Sequence, residues 1–275
     1  MSAAGGATVH TAFVPGAPRL AYDVAGDGPA TLVCLHGVGG NRRNWTEQLT
    51  ALADVCRVVA WDARGYGDSD DYDGPLAFTA FADDLLRLLD HLGVARAHLC
   101  GLSMGGRIIL DFYERHADRV ASLVLVDTFP GYDASFTAEG RERFVRERRQ
   151  PLVEGKEPRD IAPAVAKSLV SPKTSPEILQ KLIDSISILH KDSYIKTIEA
   201  LTMYQPVTDV SLIRCPVQII VGADDRLTPP TISRKMAEGI AGARLLEIPD
   251  AGHLSNLEAP AAFNACLREF LAPLI

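Results

Sequence analysis

The chain has 275 residues, long enough to bury a full core as one large α/β domain carrying an insertion. Its 28 basic and 35 acidic side chains leave a net charge of −7 without a basic stripe, which argues against nucleic acid and anionic membranes as partners. Apolar residues make up 47%, yet no run approaches the roughly 20 apolar positions that a membrane span requires.

From the N-terminus, residues 8–14 and 19–24 read as antiparallel strands joined around Pro15-Gly16, with a turn at 26–29. Residues 31–35 form a compact apolar run, as expected of a strand buried on both faces. The glycine-rich His36-Gly-Val-Gly-Gly40 follows, then a helix holding Trp45, Leu49 and Leu52. A further buried strand at 55–61 ends in Asp62-Ala-Arg-Gly-Tyr-Gly-Asp-Ser69. Over 78–92, Phe81, Leu85, Leu88, Leu89 and Leu92 share one helical face, and Gly93 stops the helix. A strand at 94–100, a helix to about His116 and a strand at 120–127 come next.

Then the rhythm breaks. Between 130 and 210 the sequence offers only helix-like segments, at 138–149, 161–169, 176–189 and 192–203. Strands return at 217–221 and 244–248, and a helix at 260–271 closes the chain. The pattern predicts an α/β fold with a mostly parallel eight-stranded sheet covered by helices on both faces. Its core domain spans 1–129 and 211–275, and 130–210 is expected to be an inserted helical cap, because an excursion of that length without a role is improbable.

The chemistry gathers where strands end. Gly101-Leu-Ser-Met-Gly105 follows a strand and opens a helix, a G-x-S-x-G turn that holds its serine in a strained conformation. A serine at φ > 0 drives strand and helix together, so the positions two before and two after it must lack side chains; Gly101 and Gly105 occupy them. Ser103 then stands at a helix N-terminus, where free N–H groups favour a developing anion. A serine hydroxyl needs a base, and the base needs an orienting group. His253, in Pro249-Asp-Ala-Gly-His-Leu-Ser-Asn256, is the candidate base. Gly222-Ala-Asp-Asp-Arg-Leu-Thr-Pro229 supplies carboxylates just past another strand end. Asp225, one residue further into the loop, ranks first as the acid, Asp127 second, and Asp224 third because it could fix its own turn. For the oxyanion, the donors expected are the N–H groups of Met104 and Val38.

Other side chains receive plainer readings. His36 shapes its loop, Asp62 pairs with Arg64, and 141–149 is a solvated arginine-rich helix face. Arg42 and Arg43 point to water, although they lie near enough to steer an acidic substrate. Trp45, Phe129, Tyr132, Phe136 and Tyr204 are candidates to line an apolar substrate cleft under the cap, as well as core residues. The five cysteines, an odd number, read as buried free thiols suited to a reducing cytosol, and the N-terminus lacks the pattern of a signal peptide, so a cytoplasmic location is expected.

Together, Leu35-His-Gly-Val-Gly-Gly, Trp61-Asp-Ala-Arg-Gly-Tyr-Gly-Asp-Ser, Gly101-Leu-Ser-Met-Gly-Gly, Gly222-Ala-Asp-Asp-Arg-Leu-Thr-Pro-Pro and Gly252-His-Leu-Ser-Asn-Leu-Glu resemble the α/β-hydrolase superfamily from about residue 31 onward. Within it the chain is most similar to the 3-oxoadipate enol-lactonase and small-molecule esterase group. The resemblance implies Ser103, Asp225 and His253 as a catalytic triad, Val38 and Met104 as oxyanion donors, a four-helix cap, and neither metal nor other cofactor. It implies hydrolysis of a small carboxylic ester or lactone through an acyl-enzyme. Haloalkane dehalogenases and epoxide hydrolases use an aspartate nucleophile, whereas this elbow carries serine. Hydrolases that cleave carbon–carbon bonds of vinylogous 1,5-diketones share the serine triad and the Asn44-Trp45 pair, but not the Val-Gly-Gly loop or Leu254. An acyltransferase, a perhydrolase or a hydrolase-like ligand receptor would use the same residues. The expected partner is a small-molecule substrate, and a homo-oligomer is compatible with the sequence.

Overall fold

Residues whose side chains are apolar at every position can form a strand only where helices cover both sheet faces, and the central strands are of this kind. The computed structural model describes residues 7–132, 138–204 and 206–275. Its strands are β1 (His10–Val14), β2 (Leu20–Ala25), β3 (Thr31–Leu35), β4 (Arg57–Trp61), β5 (Ala97–Leu102), β6 (Val120–Val126), β7 (Val217–Gly222) and β8 (Arg244–Ile248). They form one sheet in the order β1-β2-β4-β3-β5-β6-β7-β8. Only β2 runs antiparallel to its neighbours; the other pairs are parallel. Leu32, Val33, Val59, Leu99 and Leu125 are wholly buried between the helical layers.

The helices that follow the strands are α1 (Thr46–Leu52), α2 (Ala80–His91) and α3 (Met104–His116) in the first half. Helix α9 (Pro230–Gly239), the short α10 (Ser255–Glu258) and α11 (Pro260–Leu271) belong to the second. Helix α1 packs on α11, and α2 on α3. Trp45 sits in a 3-10 turn, Arg42–Trp45, rather than in the helix the sequence suggested. Asn41 and Asn44 side chains each accept from the other end of that turn, which tightens it before α1 begins. Helix α9 escaped the sequence reading because it starts behind Pro229-Pro230 and buries only Ile232, Ser233 and Met236.

Between β6 and β7 run α4 (Ala138–Arg148), α5 (Gln150–Val153), α6 (Pro158–Leu169), α7 (Pro176–Ser187) and α8 (Lys191–Met203). Among the described residues these are five α-helical segments where the resemblance implied four, since Pro151 lies in a separate turn after α4. Polar ties hold the helices over the carboxyl ends of the strands. Asn41 donates to Ser185 in α7 at 2.9 Å, and Ser193 in α8 donates to Asp71 at 2.5 Å. The His253 N–H donates to the Leu169 carbonyl at the end of α6 at 2.7 Å. Among the described residues no helix is long and apolar enough to cross a membrane.

Candidate active site

Strand β5 runs into α3 through Ser103, whose φ of 53° and ψ of −111° lie outside the usual regions for a side-chain-bearing residue. Three backbone bonds hold it there. The Ser103 N–H donates to the Val126 carbonyl at 2.9 Å, and its carbonyl accepts from Thr128 Oγ1 at 2.7 Å and from the Arg107 N–H at 3.1 Å. A Cβ on Gly101 would press on the Gly105 carbonyl, and one on Gly105 would press on the Leu35 carbonyl. A Cβ on Gly37 would stand 3.2 Å from that of Ser103, so the loop after β3, with Val38, passes directly against the serine. Met104 is the first residue of α3, where N–H groups lack partners within the helix.

His253 and Asp225 arrive from two other strand ends. His253 Nδ1 lies 2.8 Å from Asp225 Oδ2, with both side chains buried. The second carboxylate oxygen accepts from the Leu227 and Thr228 N–H groups at 2.8 and 3.0 Å, and the Thr228 hydroxyl donates to Oδ2 at 2.6 Å. Burial by itself would raise the Asp225 pKa. The His253 charge and these hydrogen bonds outweigh it and hold the carboxyl below its ordinary range. Burial likewise opposes the charged imidazole, but the Asp225 charge and hydrogen bond prevail, and the His253 pKa is raised.

The other two carboxylates have separate work. Asp224 accepts from the Ser171 hydroxyl at 2.6 Å, just beyond α6. Asp127, at a φ of 44°, accepts from the Gly222 N–H at 2.8 Å and from the Ser255 N–H and hydroxyl at 3.1 and 2.6 Å. It thus ties the end of β7 to the loop bearing His253. Burial and the neighbouring Asp225 charge push its pKa up to about 8. His36 Nδ1 donates to the Gly37 carbonyl at 2.8 Å while Nε2 accepts from the Ala63 N–H at 3.1 Å; these two bonds fit one neutral tautomer, and burial lowers its pKa.

Ser103, His253 and Thr228 face a small cavity of about 50 Å³ with Val38, Trp45, Phe129 and Tyr132. The inserted helices close it with Phe144, Arg148, Leu169, Leu182, Ile186 and Leu201. A family model described as "alpha/beta hydrolase fold" matches residues 30–260. The chain belongs to the α/β hydrolase family. A protein named for carbamate hydrolysis, RutD of Caulobacter sp. strain K31, is 32% identical over 260 residues, covering 92% of this chain and 96% of its own. The 3-oxoadipate enol-lactonase 2 of Acinetobacter baylyi is 29% identical over 239 residues, covering 86% of each. Among solved structures, a thermophilic esterase from Thermogutta terrifontis superposes with a TM-score of 0.86 at 28% identity, covering 96% of this chain and 99% of its own.

Within this α/β hydrolase several sequence expectations need correcting. Tyr204 packs away from the cavity lining: it stacks on Phe78 at 4.7 Å, and its hydroxyl donates to Asp111 at 2.6 Å. Phe136 lies outside the described residues. Asp62 and Arg64 do not pair with each other. Asp62 binds Arg42, and Arg64 binds Asp84 at 2.6 Å, because Arg42 turns inward to Asp62 and Asp23 while the half-exposed Asp68 meets it from the solvent side. Only Arg43 of that pair is exposed. The face 141–149 is not uniformly solvated either: Phe144 and Arg148, four residues apart on α4, both point inward. That spacing, continued by buried Leu152, was a readable signal hidden by the density of charge.

Sequence reasoning also missed two supports. Thr228 stands three residues after Asp225, a spacing from which an Asx-type turn could have been inferred. Glu258 accepts from the N–H groups of Gly252, Leu254 and Ser171 at 3.0, 3.2 and 2.8 Å, and from the Thr174 hydroxyl. One carboxylate so joins the histidine loop to the segment beyond α6. A Cβ on Gly252 would stand 2.6 Å from Ser171 N, and hence only glycine permits this approach.

Proposed function

We propose that this α/β hydrolase is a serine hydrolase of small carboxylic esters or lactones, with Ser103, His253 and Asp225 as its triad. The observation that carries the reading is the convergence of a strained serine and an aspartate-bound histidine on one enclosed cavity. Ser103 Oγ attacks the carbonyl carbon while His253 Nε2 takes its proton, and Asp225 holds Nδ1 and stabilises the imidazolium. The tetrahedral oxyanion accepts from the Val38 and Met104 N–H groups. His253 then protonates the departing alkoxide, leaving an acyl-enzyme. Water, deprotonated by the same base, attacks that ester, and the acid leaves as Ser103 recovers its proton.

Relatives named for carbamates, enol-lactones and esters support acyl transfer, since each of those groups has a carbonyl with a leaving heteroatom. The segment 130–210 acts as a cap over the core of 1–129 and 211–275, excluding bulk water and selecting acyl and alcohol sizes with Trp45, Phe129 and Tyr132. Five free cysteines, three of them buried, fit a cytoplasmic enzyme. Steady multiple turnover of p-nitrophenyl acetate, abolished in Ser103→Ala, is the expected result. A single slow burst would replace the enzyme by a ligand receptor. A panel adding lactones and vinylogous 1,5-diketones tests the bond cleaved, and cleavage confined to the diketones would overturn the ester reading.

A further inference from the structure

A buried cation calls for a carboxylate, and Arg42 has those of Asp23 and Asp62. Arg107 is met differently. It lies on α3 one turn after the serine, with its N–H donating to the Ser103 carbonyl at 3.1 Å, and it is 2% exposed. Four rings surround its guanidinium carbon, with centres at 5.0 Å for Phe129, 5.5 Å for Tyr204, 5.7 Å for Tyr132 and 5.9 Å for Phe78. Its Nη2 donates to the Pro206 carbonyl at 3.1 Å, and among the described residues its Nη1 has no hydrogen-bond partner. Asp111, one turn further along α3, is already engaged by the Tyr204 hydroxyl at 2.6 Å and by Arg115 at 2.8 Å. Burial pulls the Arg107 pKa down, but a guanidinium keeps its charge at neutral pH. The negative faces of the rings therefore stand where an anion would.

The rings form two pairs, Phe78 stacked on Tyr204 at 4.7 Å and Phe129 against Tyr132 at 5.2 Å. The second pair lines the cavity of Ser103 and His253; the first lies behind it. Residues 129–132 carry the chain out of the core after β6, and 204–208 bring it back before β7. The Thr208 N–H donates to the Pro130 carbonyl at 2.9 Å, so the two stems run side by side. Arg107 thus sits at the neck of the insertion, between the serine's helix and the cavity wall. We propose that Arg107 is a positioning residue whose charge holds the Phe129 and Tyr132 rings in that wall and so sets the length of acyl chain the cavity accepts. The inference rests on the serine-hydrolase reading and adds a determinant of its specificity. An aliphatic side chain in the same place would fill the volume but leave ring orientation to packing alone, whereas a cation draws each ring face toward one point. In a cavity of about 50 Å³, a ring that swings outward makes room for a longer chain.

The test measures kcat/KM for p-nitrophenyl acetate and p-nitrophenyl hexanoate in wild type, Arg107→Met, Arg107→Lys and Phe78→Leu. In Arg107→Met the hexanoate-to-acetate ratio should rise about tenfold, through a lower KM for hexanoate. Lysine restores the charge without the planar fork and should recover part of the wild-type ratio. Phe78→Leu removes a ring that lies outside the cavity wall, and a rise of about threefold is expected. It also decides the matter should Arg107→Met fail to fold by circular dichroism. An unchanged ratio in a folded variant, or equal losses on both esters as a defect reaching Ser103 would give, would overturn the proposal. Ring position is read without turnover by fluorine NMR of protein labelled with 3-fluorotyrosine, the Tyr132 line being assigned through Tyr132→Phe. That line should be single in wild type and broadened or doubled in Arg107→Met or, if that variant does not fold, in Phe78→Leu. A line that stays single and sharp, shifted or not, contradicts the positioning role. If wild type hydrolyses neither ester, the hydrolase reading fails by itself and the fluorine line still judges Arg107.

Discussion

At the sheet edge, Arg42 is enclosed by Asp23, Asp62 and Asp68; in the inserted helices, Arg148 is buried with one ring, one hydroxyl and a half-exposed glutamate. The contrast extends to the whole of each region. At the sheet edge the titratable groups around the serine have internal partners: Asp225 has His253 and Thr228, Asp127 has Gly222 and Ser255, and His36 has Gly37 and Ala63, while Trp45 Nε1 and Asn256 Oδ1 have none among the described residues. The inserted helices present mainly Leu169, Leu182, Ile186 and Leu201 to the same cavity. Carboxylates and imidazoles held by several hydrogen bonds suit chemistry that needs fixed geometry, whereas an apolar wall can be reshaped without disturbing them.

The contrast is sharpened most by a change confined to the edge. Asp225→Asn keeps the size of the side chain but removes the charge that holds the imidazole, and kcat for p-nitrophenyl acetate is expected to fall roughly 10⁴-fold with little change in KM. Next, the two arginines can be exchanged for leucine. Arg42→Leu strands the buried carboxylates of Asp23 and Asp62 and should cost about 3–5 kcal/mol in urea unfolding, whereas Arg148→Leu strands none and should cost less than about 1 kcal/mol. Similar losses in both would erase the distinction between the regions. Leu182→Ala, in the cavity wall, should raise the preference for butyrate over acetate esters about tenfold while leaving the kcat for acetate near wild type.

The smallest expected effect is in pH dependence. Loss of a proton creates the base, and the His253 pKa is raised, so the acid limb of kcat/KM should lie above the ordinary 6.5. Asp127 gives a stability readout of opposite origin. Its carboxyl titrates near 3.8 when unfolded and near 8 when folded, so the folded chain binds the extra proton between them. That contribution is fully present below pH 3.8 and declines as pH rises through 8. Asp127→Asn should flatten this part of the urea-midpoint profile; an unchanged slope would assign it to other groups.

The same division explains what the sequence disclosed. The central strands were legible because they are near-continuous apolar runs buried along their length, and the serine elbow was legible because its glycines bracket the serine at fixed spacing, although the backbone that Gly105 meets belongs to Leu35 on another strand. One residue of reach put Asp225 ahead of Asp224 as the partner of His253, and Asp127, at the end of a different strand, ranked between them. Burial of Arg148 was missed because its four-residue spacing from Phe144 and Leu152, the one local mark of an inward face, lies among the other charges of α4. Nor did the Arg42 cluster, whose partners at 23, 62 and 68 meet only through the packing of β2 and β4. Glu258 was visible in its motif, but its bonds to Ser171 and Thr174 depend on where the inserted helices dock.

Labelling with a fluorophosphonate, followed by peptide mass spectrometry, tests the proposed convergence of Ser103, His253 and Asp225 most directly. One adduct per chain on Ser103 is expected, formed on the order of 10³-fold more slowly in His253→Ala, where the hydroxyl has lost its base. An adduct on another residue, or a Ser103 that reacts as fast without His253 as with it, would contradict the account.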